Sequence, residues 1–550
     1  MRVELPWMGL GLSSNLNARD APHPFRLLDS EPGLFDYLEY SAPLSLAEAR
    51  RDASLFSEMQ ARRSEVKVLF HPVHLNLYGP SIEPAKAIAD LAEHLTAVGS
   101  PWVSNDVAWW HQAGQPFPGY FYIAPPLTMK GVEDCAAHAL EIQDGIGVPL
   151  LLENPAVIAR RGQMHVLEFM AALHARTRLP LLLDLGHLLS HQLSHGLSTF
   201  TALDALPLDQ VLELHIAGGV VTEHDGRRFY VDDHTQPLRE ELLVMLAEIA
   251  PRCPRLRAIT FEADGHPQEV AAAMLRRLRR YVPPQATVSG ELKAGPRATS
   301  VELQTRPWEL FDQAYGRIEP SEDAFGAAVE TDFRLAVIAE QLDRSWPLTR
   351  LLIAGTREQL LRFAKSAGFR AAFEGAGKEL GEAFAAYARN SIREEPDEAI
   401  AAALAFETWV QQSAPGPARH PAPGNVGVAE GVVVRSFPVD LSELQFAARS
   451  LKRHLAGRAW VTGRIELSAL ESLRQVARRA PTVPWTVAVR GERGRAVAIG
   501  LSRELKAVIS AAENGGSWQE LQKGGAAHSA ASALKALELG LIQVGGRART

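Results

Sequence analysis

Cysteine is nearly missing from this chain: of 550 residues only Cys135 and Cys253 carry a thiol, and they are isolated in sequence. That excludes a disulfide framework and thiolate-bound zinc or iron–sulfur clusters, and it fits a reducing, cytoplasmic setting. Long hydrophobic runs are also missing; none reaches about 18 residues, so no membrane span is expected. The opening stretch, MRVELPWMGLGLSSNLNARD, lacks the basic, apolar and small-residue regions of a secretory signal. There is no excess of positive charge. Lys and Arg number 57 against 64 Asp and Glu, a net charge of -7, which gives no electrostatic reason for general binding to nucleic acid. Finally, no Gly-rich phosphate loop follows the first apolar run, which counts against a doubly wound nucleotide-binding sheet.

What is present is a regular alternation. Eight short apolar runs read as strands: Gly9–Ser13, Phe35–Ser41, Val66–Val73, Trp102–Trp109, Val148–Asn154, Leu179–Asp184, Val211–Ala217 and Ala258–Ala263. Between them lie segments with apolar residues three and four apart, among them Ser45–Met59, Pro84–Val98, Lys130–Gln143, His165–Arg176, Leu238–Ile249 and Gln268–Tyr281. The first opens on Ser45 with Glu48 three residues on, a capping box. The alternation predicts an α/β fold, a (β/α)8 TIM barrel over residues 1–282. A polar Pro/Gly stretch at 283–300 reads as a linker, 301–412 as a helical segment, and 413–427, SAPGPARHPAPGNVG, as a second linker. Residues 428–550 mix helices with a hairpin, Trp485–Val489 and Arg495–Leu501 about GERG, and suggest a small winged-helix-like α+β domain.

The histidines are informative by position. The third strand ends at His71, the fourth at Asp106, the fifth at Glu153, and the sixth at Asp184 with His187 three residues later. The seventh carries His215, the loop after it Asp232 and His234, and the eighth ends at Glu262. One such residue alone is more often a helix cap than a ligand. On a barrel, however, C-terminal strand ends converge on one mouth. Burying five carboxylates there without compensation is costly, and metal ions are the natural compensation. Four imidazoles and five carboxylates exceed the needs of one ion and suit two or three divalent ions that share carboxylates. Other positions invite weaker expectations. Glu39 ends the second strand and faces the same mouth; His74 and His111 stand near it. His191 and His195, in HQLSHG, read as an exposed helix end, and His224, in the turn EHDGR, as solvated.

The segments YLEYSAP, FHPVHLNLYG, VSNDVAW, LLLENP, LLLDLGH, LHIAGG, VDDHTQPL and FEADGHP, in this order, resemble the multinuclear non-heme iron-dependent oxidative enzymes, the DUF692 family. The resemblance spans residues 7–275. It implies a barrel that uses two or three irons and O2 to modify a ribosomally synthesised precursor peptide, often at cysteine. Barrel and ligand pattern are also similar to the endonuclease IV and xylose isomerase-like superfamily, which leaves a zinc phosphodiesterase or a sugar isomerase as alternatives. From that second resemblance, His71, Asp106 and Glu153 would form one metal site. Asp184, His215 and Glu262 would form another, bridged by Glu153, and His187, Asp232 and His234 a third. Catalysis would centre on Glu153, His215 and Glu262. Three departures from the oxidase pattern stand out: the family usually has His where Asp106 stands, Asn-Asn at Gly186-His187, and often a second His at Gly219. The C-terminal region resembles the DUF2063-like partner proteins that present the peptide, which implies an enzyme fused to its peptide-binding partner.

Overall fold

The computed structural model describes residues 5–283, 303–320, 322–374, 379–413, 425–429, 432–455, 467–492, 495–525 and 527–544. Nearly all of the linker read at 283–300, and most of that at 413–427, lie outside the described residues. The chain forms two compact units, Met1–Arg334 and Leu335–Thr550.

Eight parallel strands close the first unit into a barrel. They are β1 (Gly9–Ser14), β2 (Tyr37–Ala42), β3 (Lys67–Pro72), β4 (Val103–Asp106), β5 (Leu150–Glu153), β6 (Leu181–Asp184), β7 (Val211–Ala217) and β8 (Ala258–Glu262). Each pairs with the next, and β8 returns to β1 at Ala258 opposite Gly9. The runs LLLE and LLLD of β5 and β6 are wholly buried, as expected of parallel strands covered on both faces. Low in the barrel, Met8, Tyr37, Leu69, Trp102, Leu151 and Leu212 pack into an apolar layer.

The helices follow local signals. Thr128 caps Met129–Gly145, the helix Val166–Thr177 opens with a capping box between His165 and Glu168, and Ala85–Val98 stops at Gly99 with φ 67°. The helix expected at Ser45–Met59 is broken in two, Leu46–Asp52 and Phe56–Ala61. Between the halves the Leu55 N–H donates to Leu16 O and Ser54 Oγ accepts from Ala18 N–H, so contacts with the β1 exit outbid the helical ladder. Strand β4 is shorter than expected: the chain leaves the barrel at Asp106, and Trp109 pairs instead with Ile123.

Residues 303–334 also belong to the first unit. Asp134 accepts hydrogen bonds from the Gln304 and Thr305 N–H groups, and Tyr78 OH lies 2.9 Å from Thr305 Oγ1. Trp308 and Phe311 pack on Trp109. Asp323 grips Arg227 at 2.7 and 2.8 Å and takes the Arg160 N–H, while Glu330 holds Arg161 and Arg334.

The second unit contains the helices Pro347–Ile353, Arg357–Lys365, Leu380–Glu394 and Glu398–Gln412. Leu351, Phe406 and Trp409 share one core with Phe437 and Trp485. The strands Val433–Phe437, Trp485–Glu492 and Arg495–Gly500 form an antiparallel sheet, which contains the hairpin expected from the sequence. A second core gathers Val508, Ile509, Leu521, Ala533 and Leu541. No helix among the described residues is long and apolar enough to cross a membrane.

Candidate metal centre

Strand register sets the centre. Asp106 lies opposite Glu153 across β4 and β5, and Asp184 lies opposite His215 across β6 and β7. The sixth strand then passes directly into the helix Leu185–Ser194. Asp184 is its N-cap, accepting the His187 N–H at 2.6 Å, which fixes His187 in the first turn above the mouth. After β7 the chain makes a hairpin, Gly219–His224 with Arg227–Asp232, whose last residue, Asp232, returns to the mouth.

All nine residues expected at the mouth are brought together there. His71 Nε2 is 3.9 Å from Glu153 Oε2, and His187 Nδ1 is 3.3 Å from Asp106 Oδ1 and 3.8 Å from Glu153 Oε1. His215 Nδ1 is 3.5 Å from Glu153 Oε1 and 3.7 Å from Glu262 Oε1. His234 Nε2 is 3.0 Å from Asp232 Oδ2 and 3.7 Å from Glu262 Oε2, and His187 Nε2 is 3.3 Å from the same Asp232 oxygen. Among the described residues, four groups have ligand atoms within 4.8 Å of one another: His71–Asp106–Glu153, Glu153–Asp184–His187, Asp184–His215–Glu262 and Glu39–His71–His215. Glu153 and Asp184 each belong to two of these groups, as do His71 and His215; a carboxylate, with two oxygens, can serve two ions at once.

Each histidine is held from outside by one ring nitrogen. His71 Nδ1 is 3.1 Å from Ser104 Oγ, His187 Nδ1 2.9 Å from Asn154 O, His215 Nε2 2.9 Å from Glu39 Oε2, and His234 Nδ1 3.3 Å from Asp264 Oδ2. In His71, His215 and His234 the other nitrogen is turned toward the carboxylates, the arrangement by which outer partners orient metal-ligating imidazoles; in His187 the Nδ1 beside Asn154 O also faces Asp106 and Glu153, and Nε2 faces Asp232.

The electrostatics are those of uncompensated charge. Burial, reinforced by neighbouring carboxylates, pushes the carboxyls of Asp106, Glu153 and Asp184 well above their usual range, against the pull of His187 and His215. Burial opposes charge on His187, His215 and His234, yet the surrounding carboxylates raise all three. His71, buried beside His215, His187 and His234, is pushed down. Asp106 Oδ1, Glu153 Oε2, Asp184 Oδ2, Asp232 Oδ1 and His215 Nδ1 are buried with no hydrogen-bond partner among the described residues. Native interiors rarely leave such atoms unmatched. A donor set of imidazole and carboxylate without thiolate fits borderline or hard divalent ions.

Several other positions depart from expectation. His191 is buried, not exposed; its ring lies edge-on to His165 and tilted against His195, and the hairpin after β7 packs on the helix Leu185–Ser194. His224 packs on Phe229 and Phe333 and is half-buried. His111 is committed to Glu83 at 2.7 Å. Glu213, fully buried beside His215, is a further acidic residue of the site that is not among those expected from the sequence. Its signal was an acidic residue inside an apolar strand, two positions before His215 and so on the same strand face.

Fold and centre together define a (β/α)8 barrel with buried His/Asp/Glu clusters at its mouth that can hold metal ions. Residues 9–280 match the family described as RiPP precursor modification enzyme MbnB/TglH/ChrH, and this barrel belongs to that family. Curated relatives include a UPF0276 protein of Caulobacter vibrioides, 27% identical over 267 residues, covering 48% of this chain and 89% of the relative. A UPF0276 protein of Streptomyces avermitilis is 31% identical over 203 residues, 36% of this chain and 41% of the relative. Among solved structures, the chain is similar to endonuclease IV from Thermus thermophilus at 20% identity and a TM-score of 0.35, covering 50% of this chain and 98% of that one.

Proposed function

We propose that this chain is a multinuclear, non-heme iron-dependent oxidase that uses O2 to modify a side chain, cysteine foremost, of a ribosomally synthesised precursor peptide. The observation that carries the proposal is the convergence of four outward-anchored imidazoles and five carboxylates at one mouth, in a barrel of a peptide-modifying family. His71, Asp106 and Glu153 would hold one ion; Asp184, His215 and Glu262, with Glu153 between, a second; His187, Asp232 and His234 a third. Iron held there would supply one-electron redox chemistry and a coordination position for O2 and for the substrate's own thiolate or carboxylate.

The chain's residues would do the rest. Glu153 shares its two oxygens between neighbouring groups, and Glu262 reaches both His215 and His234. Tyr122 is half-buried at the rim, edge-on to His187 at 6.3 Å and against Trp110 at 4.7 Å, with its hydroxyl accepting the Ala156 N–H at 2.6 Å. That aromatic wall limits water at the mouth and leaves an apolar approach for a peptide side chain. In this reading residues 1–282 perform the chemistry, 301–412 form a helical segment, and 428–550 hold the precursor peptide.

The test is metal analysis of protein purified without oxygen, followed by O2 uptake with the precursor peptide after iron reconstitution. The proposal expects iron at two or three per chain and peptide-dependent uptake. Protein carrying zinc alone, with no uptake after reconstitution, would refute it. Zinc-dependent cleavage of abasic-site DNA would instead favour the hydrolytic alternative.

A further inference from the structure

We infer that Glu39 is a positioning residue for His215: its carboxylate takes the Nε2 proton of the imidazole and thereby turns the Nδ1 lone pair toward the carboxylates at the mouth. The inference rests on the metal reading above and names a residue outside the nine.

A neutral imidazole carries one N–H. His215 Nε2 lies 2.9 Å from Glu39 Oε2, a hydrogen-bond distance, while Nδ1 faces two acceptors, Glu153 Oε1 at 3.5 Å and Glu262 Oε1 at 3.7 Å. With the proton on Nε2, Nδ1 and those two oxygens are three lone pairs pointed at one region, which a cation satisfies and a hydrogen bond does not.

The rival for the Nε2 proton is Glu213. Its Oε1 is farther off, at 3.8 Å, and its Oε2 accepts from Trp102 Nε1–H at 2.8 Å. Glu39 is in turn pinned. Thr260 Oγ1 is 3.1 Å from Glu39 Oε2, and Tyr37 OH is 2.6 Å from Thr260 Oγ1. These groups come from β2, β7 and β8 and from Trp102 at the foot of β4, and all are buried. The network therefore links the apolar floor of the barrel to one imidazole of the centre, and Glu39 is the member in contact with that imidazole. Tyr37 stands in its place because β1 offers Gly11 there: a Cβ on Gly11 would fall 2.2 Å from the Tyr37 ring.

The experiment uses the full chain, stripped of metal and titrated with Zn2+, as wild type, Glu39→Gln and Glu39→Ala. All three should bind the same number of ions. Glu39→Ala should weaken one ion by about 10–100-fold, the usual cost of losing a carboxylate behind a ligating histidine. Glu39→Gln keeps an oxygen that accepts the Nε2 proton and should recover most of that loss. In 15N-histidine spectra of the zinc-loaded protein, His215 should show an Nε2–H in wild type and in Glu39→Gln. Equal affinities in all three proteins would overturn the inference, as would an Nδ1–H signal. Loss of one whole ion in both variants would make Glu39 a ligand and also overturn it. If Glu39→Ala does not fold, Glu39→Asp, one methylene shorter, takes its place. A wild-type chain that binds less than one zinc refutes the metal reading itself; slow solvent exchange of the His215 Nε2 proton in metal-free wild type and Glu39→Gln, but not in Glu39→Ala, then still shows whether Glu39 holds that nitrogen.

Discussion

Replacing Glu153 with Ala should remove more than one metal ion, whereas replacing Asp106 should remove one. Glu153 belongs to two ligand groups, with His71 and Asp106 and with Asp184 and His187, while Asp106 belongs only to the first. An ion present at a hundred times its dissociation constant stabilises the folded state by about 2.7 kcal/mol. At about 2.1 cal/mol/K of unfolding entropy per residue, 1 kcal/mol moves the melting temperature of a unit this long by about 1.5 °C. Each ion lost should therefore lower the metal-dependent rise in barrel melting temperature by about 4 °C, and two ions by about 8 °C. The measurement is metal content per chain by mass spectrometry, paired with thermal unfolding with and without added metal. Metal-free Glu153→Ala should also melt no lower than metal-free wild type by more than its cavity accounts for, because it removes a carboxyl that burial and Asp106 both disfavour as an anion. Equal metal loss in the Glu153 and Asp106 variants would refute the bridging role.

Three further outcomes follow from other parts of the molecule. His94 is buried against Tyr40, Phe56 and Phe70, and burial pushes its ring down to about 4. The unfolded chain then binds the proton more readily, so its contribution is intact above about pH 6.5 and is lost as pH falls toward 4, by roughly 2–3 kcal/mol in all; urea midpoints from pH 7.5 to 4.5 should flatten in His94→Leu. Gly219→Ala would place a Cβ 2.3 Å from the Tyr230 hydroxyl and drive that ring from beside Asp232, so metal affinity should fall while the circular dichroism spectrum is retained. In the second unit, buried Glu407 accepts the Leu348 and Thr349 N–H groups at 2.6 and 3.0 Å; Glu407→Ala should cost about 3 kcal/mol, seen as a lower melting temperature of that unit.

Much of the barrel is legible because parallel strands are buried on both faces and so read as apolar runs, and because a carboxylate or imidazole at the end of such a run has little structural reason to be there. Asp184 at the end of LLLD and Glu153 at the end of LLLE are the clearest cases. The gaps arise where partners are distant in sequence. Nothing local in HQLSHG shows that a hairpin some 30 residues later packs on its helix, or that His191 is buried. The break at Ala53 depends on Leu16, and the hold of Glu39 on His215 joins β2 to β7. The hairpin that returns Asp232 alternates polar and apolar residues too weakly to announce two strands.

The contacts made by residues 303–334 bear on how the protein is born. Tyr78 after the third strand, Trp109 after the fourth, Asp134 from the helix before the fifth, and Arg160, Arg161 and Arg227 from the exits of the fifth and seventh find partners in that stretch. A ribosome that has released all eight strands has therefore released a barrel in which buried Asp134 and Arg161 still lack these partners and Arg227 lacks Asp323. Co-translational maturation of the mouth must wait for residue 334, and an arrested chain ending at residue 282 should be cut by protease in the loops carrying Arg160 and Arg227, while one ending past residue 334 should resist.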